Sequence, residues 1–151
     1  MLIYLVNPII KIAACHHQGL YKIQGPIDLT DVSMKIMIID DDQDILNLFT
    51  DFLSKRGYDV ASYLDPLVAV KEIEDNPHRY ALVITDIRMP GISGIELIKR
   101  VCELNTDIKI ILMSAFEING DDLKELRYDK QVQKPIHLRA LAQTIDKLLK
   151  N

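Results

Sequence analysis

The sequence predicts an α/β domain built on a parallel five-stranded sheet. Three observations carry this. From Met34 onward, short apolar or β-branched runs alternate with segments of helical period, five of each. Two of the runs, IMII at 36–39 and ALVI at 81–84, are apolar throughout, as strands covered on both faces are. Acidic, hydroxyl and lysine residues recur just past the runs, at the carboxyl ends where such sheets bind ligands.

The predicted strands are Ile36-Ile39, Asp59-Tyr63, Ala81-Thr85, Lys109-Met113 and Lys130-Gln133, the last of them polar. Between the first two, residues 45 to 56 place Ile45, Leu46, Leu48, Phe49, Phe52 and Leu53 on one helical face, and Gly57 is the stop signal. Pro66 suits the first turn of a second helix, where its missing N–H costs nothing. A third helix follows Gly94, with Leu97, Ile98, Val101 and Cys102 inward. A short fourth lies near Asp121 to Arg127, and the last carries Leu138, Leu141, Ala142, Ile145, Leu148 and Leu149. Parallel neighbours joined through helices require right-handed crossovers.

Composition narrows the function. The chain has 151 residues, 48% hydrophobic and 26% charged, in the ordinary globular range. Its 18 Lys+Arg against 22 Asp+Glu give a net charge of −4, so neither nucleic acid nor an anionic membrane is an expected partner. Two cysteines, Cys15 and Cys102, fit a reducing, cytoplasmic compartment and exclude a disulfide framework. Cys15-His16-His17 lacks further ligands at zinc spacing.

Residues 1–33 show neither strand nor helix period and are broken by Pro8, Gly19, Gly25 and Pro26. The apolar start is interrupted by Asn7, Pro8 and Lys11, too early to span a bilayer. Ile12-Ala13-Ala14-Cys15 resembles a lipoprotein cleavage box. The reading adopted is an N-terminal extension, disordered or a mis-assigned start, followed by one domain over 34–151.

The polar residues past the runs are Asp40, Asp41 and Asp42 after the first strand, Asp86 after the third, Ser114 after the fourth and Lys134 after the fifth. A lone Asp there is most simply a helix cap. Capping does not account for acid, hydroxyl and cation at four strand ends of one sheet. Clustered carboxylates repel and call for a cation, and magnesium takes one or two carboxylates plus phosphate oxygens. Asp40 and Asp41 are therefore the expected metal ligands. Asp86 is the candidate nucleophile, able to form an aspartyl-phosphate. Ser114 and Lys134 can serve the phosphoryl oxygens. No GxxxxGK loop occurs, so a nucleotide is not the expected donor.

IMIIDDDQDI, LVITDIRMPGISGIEL, ILMSA and QKPI, in this order, resemble the signatures of the receiver domain of two-component response regulators. The resemblance covers residues 34–151. It implies a flavodoxin-like fold of strand order 2-1-3-4-5, dependence on Mg2+, and a phosphoryl group taken from a sensor histidine kinase. By motif position, Asp40 and Asp41 are the acidic pair, Asp86 the phosphoacceptor, Ser114 the switch hydroxyl and Lys134 the family lysine, while Arg88 lends its backbone carbonyl to the metal. A cis Lys134-Pro135 bond is implied too, and Gly94 fits the glycine of the loop after the acceptor. Two features depart from the pattern. Gln131 stands where the family has Tyr or Phe, and the Ser114 to Lys134 interval is about two residues short.

The expected function is that of a single-domain regulator, catalysing only its own phosphorylation and dephosphorylation. Its expected partners are a histidine kinase and a phosphotransfer or target protein, and its expected state is a monomer or a weak phosphorylation-dependent dimer. Two alternatives stand beside it. One is a phosphate-independent pseudo-receiver that only binds. The other is a haloacid-dehalogenase-like phosphohydrolase using Asp40-Asp41-Asp42 as D-x-D, for which Asp146 is the one later carboxylate that follows Lys134.

Overall fold

A computed structural model describes residues 35–104, 107–115, 124 and 126–150. The 1–33 extension, with its Cys15-His16-His17 run and Ile12–Cys15 segment, lies outside the described residues, as does most of the short helix expected at 121–127.

Strands β1 (Lys35–Ile39), β2 (Asp59–Tyr63), β3 (Tyr80–Asp86), β4 (Lys109–Ser114) and β5 (Lys130–Gln133) form one parallel sheet in the order β2-β1-β3-β4-β5. The described helices are α1 (Gln43–Ser54), α2 (Pro66–Asp75), α3 (Gly94–Glu103) and α4 (Leu138–Leu149). This is the flavodoxin-like fold. Among the described residues no helix is long and apolar enough to cross a membrane.

The unbroken apolar runs follow from helices on both faces. Met37, Ile39, Val83, Ile110 and Leu112 pack with Ala69 and Ile73 of α2 and Leu97 and Val101 of α3. Their neighbours along the strands, Ile36, Ile38, Leu82, Ile84, Ile111 and Met113, pack with Leu46, Phe49 and Leu53 of α1 and Leu141 and Ile145 of α4. Each such side chain contributes about 1.5–3 kcal/mol on burial.

The element ends are chemically marked. Asp42, Asp65 and Ser93 cap α1, α2 and α3 by accepting backbone N–H bonds, and Gly57 adopts φ +89° in the turn after α1. One expectation for α1 fails. Leu48, assigned to its inward face, is 52% exposed, whereas Leu46, Phe49 and Leu53 are buried and Ile45 and Phe52 pack partly buried against the same cluster. Cys102 is only half-buried, its Sγ donating to the Arg127 carbonyl at 3.7 Å.

At the amino ends of the strands, the Tyr58 hydroxyl donates to Asp146 of α4, which also pairs with Arg56 at 3.5 Å and Lys150 at 3.0 Å. Burial and the Asp146 contact push the Tyr58 pKa up to about 12. The phenol therefore keeps its proton in the folded chain at pH values where the unfolded chain loses it. Its contribution is fully present below the unfolded value of about 10 and is lost as pH rises through the folded one. Tyr58→Phe should accordingly be less stable than the natural chain near about pH 8, with the gap shrinking toward about pH 11. Urea midpoints at the two pH values measure this, and a gap that widens refutes it.

Candidate functional site

Four polar side chains are buried among the described residues: Asp40, Thr85, Asp86 and Ser114. Parallel topology brings the carboxyl ends of β1, β3 and β4 together on one rim, and the residue after β5, Lys134, closes it. The Lys134 backbone N–H donates to the Ser114 carbonyl at 2.7 Å, which fixes where the lysine leaves the sheet. The Lys134-Pro135 bond is cis.

From there Lys134 reaches inward. Its Nζ lies 2.8 Å from Asp40 Oδ2 and 2.9 Å from Asp86 Oδ1, bridging two carboxylates from different strands. The remaining oxygens are held by backbone. Asp40 Oδ1 accepts the Asp42 N–H at 3.0 Å, and Asp86 Oδ2 accepts the Arg88 N–H at 3.0 Å. Ser114 ends β4 one residue past Met113, the register partner of Asp86.

The three neighbouring aspartates take different places. Asp40 is fully buried, Asp41 is exposed, and Asp42 caps α1, accepting from Asp44 N–H at 2.8 Å and Ile45 N–H at 3.3 Å. The structure thus gathers Asp40, Asp86 and Lys134 by direct contact. Among the described residues no three acidic, imidazole or thiol side chains are grouped as metal ligands, and Asp41, exposed, does not join Asp40 and Asp86 in such a group. Magnesium asks for one or two carboxylates and fills its shell with water. Asp40 and Asp86, buried and converging on one ammonium group, meet that requirement.

Burial pushes the Asp40 pKa up, outweighing the hydrogen bonds from Lys134 and Asp42. Burial alone would lower the Lys134 pKa, but the bonds and charges of Asp40 and Asp86 overcome it and raise the value, so the ammonium stays charged. A raised carboxyl pKa means that folding is favoured by Asp40 below its unfolded value, and that this contribution is lost as pH rises through the folded one. Asp40→Asn, which keeps the shape without the buried charge, should therefore unfold a few degrees higher than the natural chain near about pH 7, with the difference closing on acidification. A lower Tm for the variant near neutral pH would contradict this.

Asp146, which the phosphohydrolase alternative needs at the metal, is engaged with Tyr58 at the opposite end of the sheet. Gln131 is half-buried on β5 opposite Leu112.

Two further residues shape the site: Gly94, which the motif already marks, and Thr85, which spacing along the chain does not reveal. Gly94, the first residue of α3, donates its N–H to the Ile87 carbonyl at 3.0 Å. A Cβ there would overlap the Asp86 carbonyl oxygen and lie 3.0 Å from the Asp86 carbonyl carbon and from Ile87 Cα. Thr85, in β3, donates its hydroxyl to that same Asp86 oxygen at 2.9 Å. Ile87 and Ile92, both buried, anchor the intervening loop to the core.

Relatives of this chain are recognisable in sequence and in fold. The family model of the response regulator receiver domain matches residues 36–146. Response regulator receiver protein CpdR of Brucella abortus is 34% identical over 118 residues, covering 76% of this chain and 96% of that protein. Sporulation initiation phosphotransferase F of Bacillus subtilis is 30% identical over 117 residues, covering 76% of this chain and 93% of that protein. The crystal structure of response regulator protein TrrA from Thermotoga maritima, in complex with Mg(2+)-BeF, superimposes with a TM-score of 0.69 at 33% identity, covering 76% of this chain and 98% of that one.

Proposed function

Because this chain belongs to the response regulator receiver domain family, we propose that it is a stand-alone receiver that takes a phosphoryl group onto Asp86 from the phosphohistidine of a sensor histidine kinase. The family consists of signalling modules rather than metabolic enzymes. The observation that carries the reading is the Lys134 ammonium placed 2.8 Å from Asp40 and 2.9 Å from Asp86 at the carboxyl rim of the sheet.

In this reading an Asp86 carboxylate oxygen attacks phosphorus, the phosphorus–nitrogen bond breaks, and the imidazole leaves with the electron pair. The Arg88 N–H, bound to Oδ2, holds the carboxylate plane during the approach. Lys134, kept cationic by its two acidic neighbours, follows the negative charge from the carboxylate to the phosphoryl oxygens. Ser114 supplies a hydroxyl to another phosphoryl oxygen. Asp40 and Asp86, with the Arg88 carbonyl, would hold a Mg2+ ion, which when bound supplies further neutralisation of those oxygens.

Phosphorylation then biases a two-state equilibrium between surfaces, read by a phosphotransfer or target protein in the cytoplasm. The near full-length match to CpdR and to a phosphotransferase supports a domain working by contact and relay. Gln131 offers no aromatic ring, so the readout does not use ring rotation at that position.

The test is incubation with acetyl phosphate and Mg2+, followed by intact-mass measurement and partner capture with and without label. One added phosphoryl group and a phosphate-dependent change in capture are expected. An unlabelled natural chain, or equal capture in both states, would favour the pure binding module.

A further inference from the structure

Of the four buried polar side chains, Asp40, Asp86 and Ser114 serve the rim, and Thr85 has no part in the chemistry described so far. It is fully buried on β3 between its register partners Ile39 and Leu112, on the same face as Val83 and within an otherwise apolar layer. Valine would have the same shape there without the cost of burying a hydroxyl. That hydroxyl is satisfied by one bond, 2.9 Å to the backbone carbonyl of the next residue, Asp86. Gly94 presses on the same oxygen from the start of α3, so closely that a methyl group would overlap it. One peptide group is thus fixed from two sides, by a hydroxyl and by a glycine with no room to move. The side chain that it carries is the carboxylate held by Lys134 and the Arg88 N–H.

We propose that Thr85 is a positioning residue for phosphoryl transfer, its hydroxyl fixing the Asp86 peptide so that the carboxylate is aimed before the donor arrives. The role rests on the reading of Asp86 as acceptor. Loss of the bond leaves the peptide held by the Ile87 N–H bond to the Met113 carbonyl at 3.1 Å and by Gly94, with its carbonyl no longer tied to β3 by the hydroxyl, and any rocking of the peptide moves the attacking oxygen. Small displacements of a reacting atom are costly in rate.

The test follows labelling by acetyl phosphate with Mg2+. The phosphorus–oxygen bond to the acetyl group breaks, acetate leaves with the electron pair, and a bond forms from Asp86 oxygen to phosphorus. Initial rates are read by intact mass, well below the Tm of each protein. Thr85→Val should label about tenfold more slowly than the natural chain, and Thr85→Ser, which restores the hydroxyl, should stay within about twofold. Thr85→Ala and Thr85→Ser both lose the methyl group, so if the valine variant does not fold, an about tenfold gap between these two carries the same information. Equal rates for valine and natural chains, or for alanine and serine variants, overturn the positioning role and leave the acceptor reading standing. A natural chain that takes no label overturns both.

Discussion

Asp86→Asn is expected to take no phosphoryl group from acetyl phosphate or from a phosphorylated histidine kinase, the labelling rate falling by at least about three orders of magnitude. The loss is chemical rather than steric. Asparagine keeps the size of the side chain and an oxygen able to accept the Arg88 N–H now bound at 3.0 Å. The amide lacks the negative charge and the nucleophilic oxygen pair that make an acyl phosphate possible. The fold should survive, because Lys134 keeps its 2.8 Å contact with Asp40 and the apolar layers on both sheet faces are untouched. Intact mass with and without Mg2+, beside a thermal unfolding curve, gives both readouts. A variant that gains one phosphoryl group at the natural rate would move the acceptor elsewhere and sink the assignment.

Gly94→Ala should be strongly damaging, because the added methyl group meets fixed backbone. The added carbon meets three atoms of one backbone stretch, the Asp86 carbonyl oxygen and carbon and Ile87 Cα, and none of these is a flexible side-chain end that can step aside. Either α3 shifts outward, opening the packing of Leu97, Ile98 and Val101, or the Asp86 peptide turns. Overpacking of this kind costs about 3 kcal/mol or more, a fall in Tm of about 10 °C. Where the protein still folds, displacement of the acceptor should slow labelling about a hundredfold. Thermal unfolding and acetyl phosphate labelling check the two effects separately. A variant that matches the natural chain in both would mean that the contact is not rigid.

Much of the fold is readable from local pattern, for a physical reason. Strand and helix have different periods, and chain punctuation acts over a few residues. Pro66 opens α2 as its chemistry suggests, and Gly57 turns the chain after α1 with a positive φ. Strands β2 and β5 have the predicted limits, β1 and β4 differ from prediction by one residue at one end, and β3 by one residue at each end. Leu48 shows where periodicity fails. A broad apolar stripe tells which side of a helix is oily, but only the sheet beneath it decides that Leu46, Phe49 and Leu53 are buried, Ile45 and Phe52 partly covered and Leu48 exposed.

The site divides along the same line. Four strand ends bearing acids, a hydroxyl and a lysine are visible in the sequence because ligand sites of parallel sheets lie at those ends. The partition of Asp40, Asp41 and Asp42 is not, since three adjacent carboxylates look alike until a helix claims one as its cap and a lysine 94 residues away claims another. Thr85 escapes notice because a threonine within a β-branched run reads as an ordinary strand residue. The bond that distinguishes it is made to a backbone atom, and spacing cannot reveal such a partner.

By itself, then, the sequence determined the kind and order of the described elements and the set of polar residues available at the rim, because both follow from interactions between near neighbours in the chain. Only the tertiary structure decided which of those residues touch. It put the Lys134 ammonium between Asp40 and Asp86, sent Asp146 to Tyr58 at the far end, and locked the Asp86 carbonyl between Thr85 and Gly94. Those contacts depend on strand order and on the ångström-scale approach of α3 to β3, which arise when the separate elements pack together.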